Sequence, residues 1–447
     1  MKKTLKVILF AAAVLMITGC AKKEKGPSAD KVSINLWSFT DEIPGMVDKY
    51  KASHNNFDLT TTIIATTEGA YQPALDQALQ NGEVDIYGAE AAFVLKYAQG
   101  DMSSYAVPYK DLGIDVATAL KTADIASYTV DIGTNPQGQL VALGYQATGG
   151  CFIYNRTVAK KAFGSDDPKK VQEAIGGGSG SWDKFWEAAK KCADAGCAIV
   201  SGDGDVWHAI ENSSDKGWIV NGKLYIDPKR EAFLDVSKSL TDNGWSNVTQ
   251  DWSEAWYADM AEVGAKPVLG FFGPAWLINY VMAGNAKDTY GDWAVCNSPI
   301  GFFWGGTWLL AGKGAIKTEA KKAVVKDIVE WITLNPTSDG LLYQWANGTF
   351  QWKFEKGADP SVNTKDTVSS GTVMSISNGT LDFLGGQNMF DYFVPAGAYA
   401  NGKNLTQYDE TINSLWREQV RQYANGSKSR ADAIADFKQD VADQLGL

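Results

Sequence analysis

Apolar residues fall along this chain in three distinct rhythms. The first is an unbroken run, Val7 to Ile17, behind the basic start Lys2, Lys3 and Lys6; it is too short to cross a bilayer as a permanent helix. The second is strict alternation, in which Val32, Ile34 and Leu36, then Leu59, Thr61 and Ile63, predict strands. The third is helical spacing. It follows the polar break Trp37 to Glu42 as far as about Ser53, and returns from Tyr71 to Asn81 before Val84-Asp85-Ile86-Tyr87 resumes a strand. Strands and helices taken in turn predict an α/β fold with a largely parallel sheet.

The same rhythms continue downstream. Leu140 to Leu143, Cys151 to Tyr154, Ala198 to Val200, Val268 to Phe272 and Trp293 to Ile300 read as strands. Ser181 caps a predicted helix whose apolar positions Trp182, Phe185, Trp186, Ala189 and Ala193 keep helical spacing up to Gly196. Thr318 caps another, with Ala320, Ala323, Val324, Ile328, Trp331 and Ile332 on one face, stopped at Asn335-Pro336. Beyond it the chain turns helical, with Tyr408, Ile412, Leu415 and Tyr423 on one stripe and Ile434, Phe437, Val441 and Leu445 on the last. Trp182, Trp186 and Trp331, on apolar helix faces, read as core. No internal repeat is present. The loop Gly176 to Gly180 lacks the Gly-Lys-Ser/Thr ending of a phosphate loop and reads as a surface connection.

The opening run gains meaning from what closes it. Small residues Thr18 and Gly19 lead into Cys20, and a basic start, an apolar run and a small-residue end together make an export signal. The ending resembles that of a bacterial lipoprotein, which implies that residues 1–19 are removed, that Cys20 is acylated on its sulfur, and that the chain is tied to the extracytoplasmic face of a membrane. Lys22 to Lys31, with Gly26, Pro27 and Ser28, then reads as a flexible tether from the lipid over residues 20–31. No later apolar run is long enough to span a membrane, so the lipid is the expected anchor.

A chain of 447 residues has room for two or three domains. Its formal charge of −11 disfavours nucleic acid and anionic lipid as partners. Two histidines, His54 and His208, leave little for His-based metal sites or a Ser-His-Asp triad, and neither a metal nor a cofactor is expected. Gly202-Asp203-Gly204-Asp205 lacks the full calcium-loop pattern. Cys151, Cys192, Cys197 and Cys296 show no zinc spacing; a disulfide between Cys192 and Cys197 across a helix end and a set of free buried thiols fit equally well. Aromatic residues make up 12% of the chain, including 16 tryptophans, an excess that core filling alone does not explain.

Several segments, taken in order, resemble the extracellular solute-binding proteins of ABC importers, the family that includes maltose- and oligosaccharide-binding proteins. Asn81 to Ile86 resembles that family's Gly-x-x-Asp strand entry. Gly138 to Leu143 followed by Phe152-Ile153-Tyr154-Asn155-Arg156 resembles its first crossover. Trp182-Asp183-Lys184-Phe185 with Ala195-Gly196, Gly273-Pro274-Ala275-Trp276, and Gly305-Gly306-Thr307-Trp308 with the helix after Thr318 resemble its later elements. The likeness runs over roughly residues 32–340. Ala142-Leu143-Gly144 stands where the family usually has a proline, and the part beyond Asn335 matches only in being helical.

The resemblance implies two α/β lobes joined by three crossings, near Leu143, Pro299 and Asn335. One lobe then comprises 32–142 and 300–338, the other 143–299 and 339–447. It also implies a solute held between the lobes and a hinge closure, a motion for which periplasmic binding proteins are a standard case. The expected partners are a small carbohydrate and the membrane subunits of an importer, and the protein is expected to be a monomer.

A sugar presents C–H patches on its ring faces and hydroxyls at its rim, which call for aromatic faces and for carboxylates or amides. Such residues in loops after strands are the candidates, because ligands of open α/β folds sit at strand ends. They are Trp37, Asp41 and Glu42 after the first strand, Glu90 after the Asp85–Gly88 segment, Tyr145 past the first crossing, Trp207, Trp276, and Trp304 with Gly305 and Gly306 after the second. Asn388 and Asp391 are further candidates, while Trp245, Trp252 and Trp256 fit either core or site. A lipid-anchored glycoside hydrolase would draw on the same residue types, but needs two carboxylates at a fixed separation. A peptide or polyamine receptor of the same fold remains open, since acids and aromatics also cage amines.

Overall fold

The computed structural model describes residues 31–66, 69–350 and 365–447. The export signal, Cys20 and all of the tether but Lys31 lie outside the described residues. No helix among the described residues is long and apolar enough to cross a membrane.

Val32 to Leu447 form one compact unit built around two sheets. Strands β1 (Val32–Ser38), β2 (Phe57–Ile63) and β3 (Ile86–Glu90) pair in parallel, with Val32 opposite Phe57 and Leu36 opposite Ile86. β4 is Ala142–Gly144 and β5 is Cys151–Asn155. The short strands β6 (Ile219–Val220) and β7 (Lys223–Leu224) make an isolated hairpin. β8 is Gly270–Gly273, β9 is Trp293–Cys296 and β10 is Thr307–Ala311. The first sheet has the order β2-β1-β3-β10-β4, the second β8-β5-β9.

The expected parallel sheet is only half the story. β10 runs antiparallel to both β3 and β4, and β5 pairs antiparallel with β8 and β9. Ala198 to Val200 accompanies β8 by isolated bonds, with the Leu269 N–H on the Ala198 carbonyl at 2.8 Å, instead of forming a full strand.

The helix boundaries follow the capping chemistry. Glu42–Ser53 and Tyr71–Gln80 fill the predicted intervals. In Glu319–Thr333 the Thr318 hydroxyl accepts the Lys321 N–H at 3.1 Å, and Val324, Val325, Ile328, Val329 and Ile332 are buried. Asp183–Asp194 ends ahead of Gly196, whose φ of +72° suits glycine. Cys192 and Cys197 flank that end as free, buried thiols, as do Cys151 and Cys296, so the disulfide reading gives way to packing. In Asp409–Ala424 the buried stripe is Ile412, Trp416 and Val420, one register away from Leu415 and Tyr423.

Three stretches distant in sequence run side by side between the sheets. The Gly150 N–H meets the Phe302 carbonyl at 2.9 Å and the Trp304 N–H meets the Thr148 carbonyl at 3.1 Å. On the other flank Ala147 N–H bonds to Thr367 and Ser369 N–H to Tyr145, both at 3.0 Å. Two of these stretches connect the sheets, between β4 and β5 and between β9 and β10. The third stretch leads into the short helix Gly371–Met374, which packs on the helices Val116–Ala123 and Leu341–Ala346. The helix Leu341–Ala346 packs on Glu319–Thr333.

Asp85 ties the first sheet together. Fully buried, its Oδ2 accepts the Asn35 N–H at 2.8 Å and the Lys321 Nζ at 2.7 Å, linking the middle of β1 and the start of β3 to the helix Glu319–Thr333. Replacing Asp85 by Ala leaves a buried N–H and an ammonium without their acceptor. The expected loss is about 3 kcal/mol of unfolding free energy, read by urea denaturation. A midpoint unchanged in Asp85→Ala would show that the anchor is dispensable.

Candidate functional site

Between the two sheets lies a cleft of about 650 Å³, floored by these three stretches and walled by residues from both sides. The register of β3 with β10 sets the floor. Glu90 sits opposite Thr307, and the Ala91 N–H reaches the Gly306 carbonyl at 2.9 Å. Gly305 and Gly306 hold φ of +71° and +111°, so the turn itself demands glycine. A Cβ on Gly305 would also approach the Trp276 ring at 3.3 Å.

One wall is aromatic. β8 ends at Gly273, and Pro274-Ala275 then places Trp276 at the start of the next helical turn, where its Nε1 donates to the Trp304 carbonyl at 3.0 Å. The Trp276 and Trp304 rings meet edge-on at 4.7 Å. Trp252 lies parallel to Trp276, 6.1 Å away at 8°, with half its surface exposed. His208 stacks on Trp304 at 3.6 Å.

Trp252 has a φ of +65°, unusual for a bulky side chain. Its neighbour Asp251 is clamped by both guanidinium nitrogens of Arg417, one at 2.9 Å, and faces His208 Nε2 at 3.7 Å. The clamp fixes the loop that carries the strained tryptophan. Burial pushes the Asp251 carboxyl up, but the His208 and Arg417 contacts outweigh it and hold it well below the usual carboxylate range. Burial pushes the His208 imidazole down, so the neutral ring is favoured.

The opposing surfaces are acidic. Glu42 starts its helix one turn after β1, and its carboxyl accepts the Tyr145 hydroxyl. Asp366 accepts the Thr367 N–H at 2.7 Å and the Gln146 amide at 3.3 Å. Burial, with Asp366 and Asp41 nearby, raises Glu42 to about 8, and burial raises Asp366 to about 7. Glu90 takes the Ala92 N–H at 2.9 Å, yet burial together with Glu410 and Glu211 still lifts it to about 7. Glu211 also reaches about 7 through burial, the nearby Arg230 guanidinium notwithstanding.

Of the residues expected from the sequence, the structure brings Glu42, Glu90, Trp276, Trp304, Gly305 and Gly306 together around the cleft. Trp207 touches it only as a core ring, 1% exposed and packed 4.8 Å from Phe233. Three others do not line it. Trp37 is held in the β1 ladder between Thr62 and Tyr87, Asp41 precedes the helix Glu42–Ser53, and Tyr145 is buried behind Glu42. Asn388 and Asp391 bond to each other at 3.0 Å, also away from the lining.

Sequence reasoning missed His208, Glu211, Asp366, Asp409 and Arg417. The first two were within reach, because they follow Trp207 on the helix Asp203–Asn212. The Gly202-Asp203-Gly204-Asp205 segment starts that helix, with Asp205 Oδ2 accepting the Ser201 and Gly202 N–H groups at 3.1 and 3.0 Å. Among the described residues no cluster of His, Cys, Asp and Glu could hold a metal ion.

The fold and family are shared with known proteins. A family model described as bacterial extracellular solute-binding protein matches residues 45–368. A crystal structure of an extracellular solute-binding protein family 1 member is 19% identical, with TM-score 0.73, covering 92% of this chain and 99% of that one. The galacto-N-biose-/lacto-N-biose I-binding protein of the ABC transporter from Bifidobacterium longum, in complex with lacto-N-biose, is 17% identical with TM-score 0.65, covering 93% and 97%. The GacH receptor of Streptomyces glaucescens GLA.O, solved unliganded and with acarbose, is 16% identical with TM-score 0.63, covering 93% and 99%. No curated protein sequence matches the chain.

The raised carboxyls make stability depend on pH. Their folded values lie above the ordinary unfolded ones, so the folded state holds more protons, and the stabilisation present at low pH is lost as pH rises through about 7 to 8. The urea midpoint without ligand should therefore fall between about pH 6.5 and about pH 8, a window above the His208 titration. Asp366→Asn should flatten that slope and raise the midpoint mainly at the alkaline end. A slope unaltered by the variant would show that Asp366 ionises freely.

Proposed function

The chain belongs to the bacterial extracellular solute-binding proteins, and from that premise we propose that it captures a carbohydrate between two closing lobes and presents it to an ABC importer. The observation that carries this reading is the tryptophan wall. Trp252 and Trp276 present parallel rings to a cleft whose other surfaces bear carboxyls and amides, matching ring faces and hydroxyl rims in turn. Solved relatives of this fold that are described with lacto-N-biose or acarbose bound point the same way. Contacts from both lobes form together only when the cleft is shut, so a bound sugar should shift the population toward closure.

A thermal-shift screen over a sugar library identifies the ligand, because binding to the folded state alone raises the melting temperature. Calorimetry with that sugar then tests the wall. Trp252→Ala should weaken binding by about 1–3 kcal/mol. Its ring is half-exposed, so the ligand-free melting temperature should hardly move. Normal affinity in this variant would remove the stacking platform from the account, and small-angle scattering that shows no compaction on binding would remove closure.

We also propose that the protein is delivered to the extracytoplasmic face as a lipoprotein, with Cys20 as the acylated first residue of the mature chain. The support is the basic start, the short apolar run and the Thr18-Gly19-Cys20 ending. Cys20→Ser should abolish acylation and move the protein out of the detergent phase on partitioning. A variant that still partitions with detergent contradicts the anchor.

A further inference from the structure

The charge lining the cleft is lopsided. Six carboxyl groups face it, against two guanidinium groups, and both of the latter are committed elsewhere. Arg417 is spent on Asp251, and Arg421 bonds Glu418 at 2.7 Å. Four of the six acids, Glu90, Glu211, Asp409 and Glu410, gather at one end. Glu90 belongs to the first lobe, at the end of β3. Glu211 and Glu410 come from helices Asp203–Asn212 and Asp409–Ala424, which both pack on Pro228–Asp242 in the second lobe.

Closure therefore brings like charges from opposite lobes together. Burial, reinforced by the neighbouring Glu410 and Glu211, lifts the Glu90 carboxyl. The cation that acts most strongly on Glu211, and also acts on Asp409, is Arg230, which is buried with 1% exposure, donates to the Lys216 and Glu211 carbonyls at 3.0 and 3.3 Å, and lies over the Trp218 ring. It sits behind the acids and does not line the cleft.

An independent feature marks the same end. Asp409, 6% exposed, lines the cleft, and its Oδ1 takes both the Thr406 hydroxyl at 2.6 Å and the Thr406 N–H at 3.1 Å. Its Oδ2 is buried with no hydrogen-bond partner. A buried acceptor without a donor carries a cost that an occupant can remove. A sugar hydroxyl supplies one donor and no charge. An ammonium supplies three donors and a positive charge, enough to serve several carboxyls and cancel their repulsion.

We propose that the solute carries a protonated amine, seated where Glu90 of the first lobe faces Glu211 and Glu410 of the second. The proposal rests on the carbohydrate reading and narrows it to an amino sugar. Because the acids come from opposite lobes, the ammonium gains its full set of contacts only in the closed state, and the ligand's charge becomes the signal for closure.

Titration calorimetry in low-salt buffer near neutral pH tests this with a glucosamine disaccharide, its di-N-acetylated form, cellobiose and spermidine. The amine disaccharide should bind about tenfold or more tightly than the acetylated and neutral sugars. Glu90→Gln and Glu211→Gln, each first checked for an intact melting transition, should both shrink that preference. Equal or tighter binding of the acetylated or neutral sugar overturns the amine and leaves the carbohydrate reading standing. Binding of spermidine alone keeps the amine and overturns the carbohydrate, while silence from both amines overturns the proposal.

Discussion

Everything at the cleft hangs on the hydrogen bonds that hold three distant stretches of backbone together. Residues 145–150 lie in the middle, bonded on one side to Phe302–Gly305 and on the other to Asp366–Ser369. The middle stretch positions side chains as well as backbone. Tyr145 turns its hydroxyl onto Glu42, Gln146 turns its amide onto Asp366, and the Thr148 hydroxyl meets the Gly305 carbonyl at 3.0 Å.

The second organising constraint is electrostatic. Buried carboxyls without cation partners are costly, and a fold that gathers several of them in one cavity stays stable only by keeping them protonated or by receiving positive charge. The Asp251–Arg417 pair is the contrast within the same cleft. There the charge is fully matched, and the pair serves to fix the Trp252 loop. The two kinds of acid differ in role: the paired one fixes the wall, and the others line the cleft.

The tryptophans divide in a similar way. Trp207, Trp218, Trp256, Trp293, Trp308 and Trp416 are fully buried, and they account for much of the aromatic excess by ordinary packing. Trp252, Trp276 and Trp304 stay partly open because they sit on the turns that follow strands or clamped loops, where no further layer covers them. Composition flagged the excess but could not separate these groups, since burial depends on what lies opposite.

Much of the architecture was legible in local chemistry. Alternation found β1 and β2, the Thr318 hydroxyl marked its helix and Gly196 marked a helix end, because each depends on contacts within a few residues, while Trp276 was singled out through the family resemblance of Gly273-Pro274-Ala275-Trp276. Glu42, Glu90 and the Gly305-Gly306 turn were legible for the same reason, as they directly flank strands. Pairing direction, the alignment of residues 366–369 with 145–147 and the other four acids of the cleft were not. β5 between β8 and β9, Asp366 beside Gln146, and Arg417 on Asp251 join residues more than a hundred positions apart, and nothing in the local pattern of either partner names the other. The sequence by itself determined which segments become strands, helices and strand-end loops, since propensity, capping and periodicity act locally. Only the tertiary structure decided which of those loops share a cavity, and which of its charges are left without a partner, because that depends on long-range packing.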